Sequence, residues 1–250
     1  MKDADMLESE WDAQATTYDL LNGDLREPDL DAINGMVTGN RVLELGCGTG
    51  RVALPVARSG RHVVALDYSS AMVGVLEEKL RAEPDLAIET VHAPMQDFER
   101  EASFDTILCV NNSLLFLPDQ STQVRALEKI RINLAPGGKA ILQINAAASM
   151  LRTWGTDRKT LPAQIDSSGV ATMSAIVDLE RQRMQLVYER RSVDGTTDYV
   201  VPVTLRYIWA DELALMCRLA GLRIVRSLGS WSGDSARGGS DLIVELAAGD

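Results

Sequence analysis

The stretch Arg41-Val-Leu-Glu-Leu-Gly-Cys-Gly-Thr-Gly50 decides the fold. Its first half is an apolar run with the length of a buried strand, and glycines follow at Gly46, Gly48 and Gly50. Apolar residues then resume at helical spacing over residues 52–57. A strand, a glycine turn and a helix in this order begin a nucleotide-binding βαβ unit. Glycine is needed in such a turn because the chain reverses sharply and no Cβ can separate the backbone from the ligand.

The composition bounds the class of protein. The chain has 250 residues, 46% of them hydrophobic, which predicts one domain over residues 1–250 with a core large enough to fold alone. The net charge of −11 disfavours nucleic acid as a partner, because an acidic surface repels phosphates. Three cysteines without Cys-x-x-Cys spacing disfavour both disulfides and a metal site. The acidic start and the lack of a long apolar run predict a cytoplasmic protein with no membrane partner.

Apolar runs and helical patterns alternate after the glycine turn, which is typical of a doubly wound, mostly parallel α/β sheet. Further strands are predicted at residues 62–66, 86–91, 104–110 and 139–145. Helices are predicted between them at residues 69–81 and 120–134. The pattern closes with a helix at residues 211–220 and two strands at residues 222–227 and 240–246.

Asp67 directly follows the second predicted strand, at the sheet edge where ligands bind in this architecture. A carboxylate there accepts hydrogen bonds from both ribose hydroxyls of a nucleoside. The alternative is that Asp67 caps the next helix, although Ser69 or Ser70 would also serve. The glycine turn upstream makes the ribose role the preferred interpretation.

Two regions lie outside the alternating pattern. Residues 1–30 are predicted to form a helical arm, because apolar positions up to residue 21 recur at spacings of three and four. This arm either packs on the domain or closes as a lid, with Trp11 and Tyr18 facing the ligand. Residues 150–208 are rich in β-branched and aromatic residues and predict an antiparallel β insertion on the substrate side. The insertion is also a candidate surface for homo-oligomer formation.

The spacing of the glycines disfavours a dinucleotide ligand. A dinucleotide loop carries its third glycine three residues after the second, and Arg51 occupies that position here. Glu44 lies just before the turn, where its carboxylate would repel a pyrophosphate but attract an amino group. An NAD-dependent dehydrogenase on the same architecture is therefore an alternative and not the first choice.

Several segments together resemble the class I S-adenosylmethionine-dependent methyltransferases. Those that carry the resemblance between residues 41 and 145 are VLELGCGTG, ALDYS, FDTILC and LAPGGKAIL. The segment WDAQATTYD resembles the N-terminal arm of small-molecule methyltransferases, and NNSLLFL resembles the segment after strand four in enzymes that methylate amines or hydroxyls of antibiotics, amino sugars and other metabolites. RLAGLRIVRSLG and SDLIVEL resemble the family's last helix and antiparallel strand pair. The resemblance implies a Rossmann-like seven-stranded sheet whose last strand is antiparallel.

The resemblance also implies roles for individual residues. Glu44 and the Gly46–Gly50 backbone would hold the methionine moiety, and Asp67 the ribose. Many relatives carry an acid in place of Pro94 for the adenine amino group, so Gln96 or a backbone group would take that role. The implied contacts to S-adenosylmethionine are Tyr18, Glu44, Gly46, Cys47, Gly48, Gly50, Arg51, Asp67, Tyr68, Met72, Met95, Gln96, Val110 and Asn111.

The implied reaction is an in-line displacement at a methyl carbon, which depends mainly on alignment. Neither His62 nor His92 is placed as a convincing base, which favours an amine of a small metabolite, amino sugar or antibiotic intermediate as acceptor. An O-methyltransferase that uses Tyr18 or an acid of the insertion, and a non-catalytic S-adenosylmethionine-binding protein, stay as alternatives. The candidate catalytic residues are Tyr18, Asn111 and Phe116. The candidate substrate contacts are Trp11, Asn112, Ser113, Phe116, Trp154, Tyr207 and Trp209. For the aromatic residues among them, packing in the core is the alternative role.

Overall fold

The computed structural model describes residues 11–166 and 169–249. The helices within these ranges are α1 Tyr18–Asn22, α2 Glu27–Met36, α3 Ala53–Arg58, α4 Ser70–Arg81, α5 Gln120–Asn133, α6 Ala147–Trp154 and α7 Ala210–Leu219. The strands are β1 Arg41–Leu45, β2 His62–Asp67, β3 Ile88–His92, β4 Phe104–Cys109, β5 Leu134–Asn145, β6 Lys159–Asp166, β7 Gly169–Asp178, β8 Arg183–Ser192, β9 Thr197–Arg206, β10 Leu222–Leu228 and β11 Asp241–Ala248. A short 3-10 turn, Ser113–Phe116, follows β4.

The central sheet has seven strands in the order β10-β11-β5-β4-β1-β2-β3. Strands β1 to β5 pair in parallel, and β11 is antiparallel to both β5 and β10. This confirms the predicted Rossmann-like α/β sheet. The strand order reverses between β1 and β4, and in such sheets ligands bind outside the carboxyl ends of the strands at that point.

Helix α4 shows how the sequence fixes a helix beside this edge. Ser69 is its N-cap, and the Ser69 hydroxyl accepts a hydrogen bond from the backbone N–H of Met72 at 3.1 Å. The apolar face of α4 is buried through Met72, Val73 and Leu76. Because Ser69 caps the helix, the alternative role of Asp67 as its N-cap is not realised.

A second, separate sheet confirms the predicted antiparallel β insertion. Its strands run in the order β6-β7-β8-β9. The β8–β9 hairpin turns at Gly195, whose φ of 86° requires glycine, as the Asp194-Gly195 pair indicates. Strand β6 was not predicted as a strand, because Pro162 lies within it and its register shifts between Pro162 and Gln164. An edge strand tolerates such a proline, since one side of it needs no partner.

The N-terminal region departs from the prediction of one helix up to residue 21. Residues 13–17 form turns instead, held by hydrogen bonds such as Thr17 N–H to the Gln14 carbonyl at 2.9 Å. The part of that prediction over residues 1–10 lies outside the described residues. Helix α2 was missed, although Pro28 in its first turn is a helix-start signal.

No helix within residues 11–166 and 169–249 has the length and apolar character needed to cross a membrane.

Candidate active site

A cavity of about 410 Å³ opens at the carboxyl edge of the central sheet. This volume falls in the range of roughly 300–1,000 Å³ that is typical of small-molecule sites. Fifteen of the residues that the sequence singled out line it: Trp11, Tyr18, Glu44, Gly46, Cys47, Gly48, Arg51, Asp67, Tyr68, Met72, Met95, Gln96, Asn111, Ser113 and Phe116. The rest of its wall is formed by Val52, Leu66, Pro94, Leu117, Pro118, Asp119, Thr122 and Arg125.

The residues that sequence reasoning missed come mainly from the start of α5. Asp119 caps α5 by accepting a hydrogen bond from the Thr122 backbone N–H at 2.8 Å. Arg125 lies one turn further along and is paired with Asp97. The 3-10 turn after β4 brings this helix start to the cavity. The local sequence does not predict that these residues line the cavity, because their position depends on the path of the preceding turn.

Three predicted contacts near the cavity have other surroundings. A Cβ on Gly50 would approach Leu76 Cδ1 to 2.4 Å, so this glycine is required for packing against α4 and does not line the cavity. Val110 is 2% exposed and belongs to the core. The side chain of Asn112 donates from Nδ2 to Asn145 Oδ1 at 2.8 Å. The structure does not bring these three to the cavity wall.

The three aromatic candidates of the insertion and its flanks do not line the cavity either. Trp154 ends α6 and packs in the core, as does Tyr207. Trp209 is 44% exposed just before α7, and its ring lies edge-on to Tyr207 with the centroids 6.3 Å apart. Trp154 and Tyr207 therefore have the core-packing role that was the alternative to a substrate contact, and Trp209 lies on the surface.

The glycine turn and Asp67 form one hydrogen-bonded unit. The backbone N–H of Gly48 donates to Asp67 Oδ2 at 2.7 Å, and that of Ser69 donates to Asp67 Oδ1 at 2.9 Å. Gly48 has a φ of 53° and open space where a Cβ would stand, so a ligand can approach its backbone closely. Burial raises the pKa of Asp67. Each carboxylate oxygen keeps a further lone pair for a ligand hydroxyl.

Glu44 places a carboxylate in the wall of the cavity with almost no contact to solvent. It is 3% exposed, and its Oε2 has no hydrogen-bond partner among the described residues. Burial, and then the neighbouring Asp67, raise the pKa of Glu44 well above its ordinary value. A buried carboxylate of this kind is stabilised by a positive partner. The ammonium group of S-adenosylmethionine fits that requirement.

Gln96 provides a second test of the cofactor's fit. Its Oε1 is buried and has no partner within the described ranges. An amide oxygen in this position is an acceptor, and the adenine amino group is a donor. The unpaired acceptors of Glu44 and Gln96 thus match two donors of S-adenosylmethionine.

Aromatic rings from two distant segments meet at the cavity. The rings of Trp11 and Phe116 lie edge-on with centroids 4.7 Å apart, and those of Trp11 and Tyr18 are 6.2 Å apart. The Arg51 guanidinium carbon lies 5.9 Å from the centre of the Tyr18 ring. The residues before β1 therefore contribute directly to the cavity wall, as the lid interpretation requires.

Two carboxylates hold this N-terminal segment in place. Asp12 Oδ1 accepts a hydrogen bond from the Ser69 hydroxyl at 2.5 Å. Asp19 accepts one from the Thr49 hydroxyl at 2.5 Å and forms an ion pair with Lys79 at 2.6 Å. The segment is thus bound to the glycine turn and to both ends of α4, which bring Trp11 and Tyr18 to the cavity.

Known proteins resemble this chain both in sequence and in structure. Residues 42–138 match a family model described as a methyltransferase domain. The chain is 29% identical to the cypemycin N-terminal methyltransferase of a Streptomyces species, over 82% of either chain. It is 27% identical to a ubiquinone biosynthesis O-methyltransferase of Aromatoleum aromaticum, over 78% of this chain and 69% of the relative. The fold matches that of the CcbJ methyltransferase from Streptomyces caelestis with a TM-score of 0.87, at 24% identity and covering 95% and 96% of the two chains.

This chain is an S-adenosylmethionine-dependent methyltransferase. This identification replaces the alternatives of an NAD-dependent dehydrogenase and of a non-catalytic binding protein. When bound, S-adenosylmethionine supplies an activated methyl group on a sulfonium. The residues that would hold and orient it line the cavity: Glu44, Gly48 and Asp67 at the ends of β1 and β2, and Asn111 and Phe116 after β4.

The carboxylates among the described residues that line the cavity have other roles: Glu44 and Asp67 fit the ammonium and ribose groups of the cofactor, and Asp119 caps α5. Among the described residues that line the cavity there is no histidine. His62 is exposed at the start of β2, and Nε2 of His92 lies 2.9 Å from the Tyr68 carbonyl oxygen. Burial raises the pKa of the Tyr18 phenol, which therefore stays protonated at neutral pH. Alignment of the reacting groups is then the main contribution left to the protein.

Proposed function

We propose that the methyltransferase transfers the methyl group to an amine nitrogen of a small molecule, such as a metabolite, an amino sugar or an antibiotic intermediate. The observation that carries this proposal is that the described lining residues include no histidine, that the lining carboxylate Asp119 caps α5, and that the pKa of Tyr18 is raised. A neutral amine attacks through its free lone pair and loses its proton afterwards. A hydroxyl acceptor needs a base to remove its proton early.

The size and walls of the cavity support a small acceptor. The N-terminal segment lines the cavity through Trp11 and Tyr18, and the cavity volume of about 410 Å³ suits a small molecule. The rings of Trp11, Tyr18 and Phe116 provide negative π-faces, which stabilise the positive charge that an amine gains as it is methylated. The name of the cypemycin relative, an N-terminal methyltransferase, agrees with an amine acceptor.

The test compares matched acceptors. The protein is incubated with S-adenosylmethionine carrying a labelled methyl group and with pairs of metabolites that differ only by an amino group in place of a hydroxyl. Methylation of the amine member, with a rate that rises with pH until the amine is neutral, is expected. Transfer to the hydroxyl member at an equal or higher rate would overturn the proposal.

Variation of Tyr18 separates the amine acceptor from the O-methyltransferase alternative. If Tyr18 were the base for a hydroxyl, Tyr18→Phe would abolish most turnover and remove a pH dependence. With an amine acceptor, the variant keeps the same pH profile and loses only the contribution of one hydrogen bond.

The remaining expectations extend the proposal. A small-molecule partner, with neither nucleic acid nor membrane, is supported by the acidic net charge of −11 and by the size of the cavity. A cytoplasmic location and self-association through the β6–β9 sheet stay predictions. Sedimentation analysis of the purified protein tests self-association.

A further inference from the structure

The segment after β4 enters the cavity in a strained backbone conformation. Asn111 and Asn112 have φ angles of 54° and 68°, so two successive non-glycine residues lie in the left-handed region. Asparagine tolerates this region better than most residues, but such a pair persists only where its surroundings hold it. Asn111 lines the cavity, and the 3-10 turn that follows carries Phe116. The conformation of this pair therefore sets the position of both residues.

Side chains of β5 hold the pair in place. The backbone N–H of Asn111 donates to Gln143 Oε1 at 2.6 Å. Nδ2 of Asn112 donates to Asn145 Oδ1 at 2.8 Å, and Oδ1 of Asn112 accepts from the Asn145 backbone N–H at 2.6 Å. Gln143 is 5% exposed, so water does not readily replace it as a partner.

Asp241, at the start of β11, determines which way these amides point. Its Oδ1 accepts from Gln143 Nε2 at 2.8 Å and from Asn145 Nδ2 at 3.1 Å. An ionised carboxylate only accepts hydrogen bonds, so both NH₂ groups must face it. The carbonyl oxygens of the two amides are then left to face Asn111 and Asn112. If the Gln143 amide were turned over, its NH₂ group would oppose the N–H of Asn111, with two donors and no acceptor.

We infer that Asp241 is a positioning residue for methyl transfer, acting through Gln143 and Asn145 on Asn111. It lies outside the cavity wall and touches no reacting atom. In-line transfer is sensitive to alignment, since a misplacement of about 1 Å can lower the rate by roughly 10²-fold. The inference depends on the methyltransferase activity and not on the amine acceptor proposed above.

The test needs no knowledge of the acceptor. Asp241→Ala removes the acceptor for both amides, and Asp241→Asn keeps one carbonyl oxygen that can serve both. Glu245→Gln is the matched control: Glu245 lies on the same strand four residues on, pairs with Lys139 and Arg226, and has no link to Asn111. The measurements are amide hydrogen exchange at Asn111 without ligand, the carbon-13 signal of the labelled methyl group of bound S-adenosylmethionine, and the affinity for S-adenosylhomocysteine.

Asp241→Ala is expected to speed exchange at Asn111 by about tenfold or more, because the hydrogen bond to Gln143 is no longer fixed. The bound methyl signal is expected to shift, while the affinity for S-adenosylhomocysteine stays within about threefold, less than the loss of one hydrogen bond would cause. Asp241→Asn and Glu245→Gln are expected to keep the parent signals.

Unchanged exchange and an unchanged methyl signal in Asp241→Ala would overturn the inference, and so would equal changes in Glu245→Gln. If Asp241→Ala does not fold, Gln143→Met removes the acceptor of Asn111 while keeping Asp241. It is expected to give the same faster exchange and shifted signal, and parent behaviour in it would equally overturn the inference. Failure to methylate any amine would refute the proposed acceptor and leave these three readouts unaffected.

Discussion

Replacement of Glu44 by glutamine should change ligand binding and pH-dependent stability in opposite directions. Glu44 is almost fully buried, its Oε2 has no partner in the described structure, and burial and Asp67 raise its pKa well above the ordinary value of 4.5. In the free protein this buried carboxylate therefore destabilises the fold when it is ionised. With S-adenosylmethionine or its product bound, it is expected to pair with the ligand's ammonium group.

The magnitude for binding follows from the loss of one charge-assisted hydrogen bond. Such a bond contributes about 1.5–3 kcal/mol, which corresponds to an affinity about 10- to 150-fold lower for Glu44→Gln. Calorimetric titration with S-adenosylhomocysteine measures it. Methylthioadenosine, which shares the nucleoside but lacks the amino-acid part, is the control ligand and is expected to bind parent and variant equally.

The pH dependence of the stability of the free protein gives an independent test. Because the folded-state pKa of Glu44 lies above 4.5, the folded protein binds more protons than the unfolded chain between these two values. Stability therefore falls as pH rises through that interval, by up to about 1.4 kcal/mol per pH unit. Glu44→Gln lacks this decline, so its free energy of unfolding relative to the parent is expected to grow with pH in urea denaturation. An equal loss of affinity for both ligands, or a stability difference that is the same at every pH, would refute this reasoning.

Three further variants, one of them with a matched control, test the other assignments. Asp67→Asn is expected to weaken S-adenosylhomocysteine binding by about tenfold or more through the loss of a charged acceptor. The control, Asp105→Asn, removes a carboxylate that also accepts two backbone N–H groups but lies at the opposite edge of the sheet, so it should leave that affinity unchanged. Equal affinities of the two variants in calorimetry would contradict the ribose role of Asp67. Tyr18→Phe is expected to lower turnover more than cofactor affinity, and steady-state kinetics showing parent turnover would leave Tyr18 with a packing role only. Trp154→Ala is expected to cost about 3–5 kcal/mol of stability and little affinity, since Trp154 is 6% exposed in the core; a selective loss of activity in a stable variant would restore it as a substrate contact.

Much of the fold could be predicted because its signals are local. The apolar run before Gly46, the capping serine at the start of α4 and the Asp194-Gly195 turn each act over a few residues. Strand β6 escaped prediction because Pro162 disrupts its pattern, and only pairing with β7 makes it a strand. Residues 13–17 escaped because helical spacing of apolar residues does not reveal that Asp12 and Asp19 are held by partners elsewhere in the chain.

The residues of the candidate site also differ in whether local sequence signals could place them. Most residues that follow parallel strands could be placed at the cavity, because the carboxyl ends of such strands share one edge, although Val110 and Asn112 after β4 do not line it. Trp154, Tyr207 and Trp209 could not be placed, because an aromatic residue has the same sequence signature in a core as in a binding site. Residues 118–125 gave a signal for the helix but none for a place at the cavity, since that place depends on the turn after β4.

The sequence by itself determined the βαβ start and the parallel sheet, because short-range periodicity and glycine spacing are sufficient for them, and its resemblance to a known family implied the cofactor class. Only the tertiary structure decided which aromatic residues meet and which acids have no partner. It alone shows that Asp241 reaches Asn111 through Gln143, from a position 98 residues beyond Gln143. Such contacts arise from the order of strands β11, β5 and β4 in the sheet, and no local pattern along the chain encodes that order.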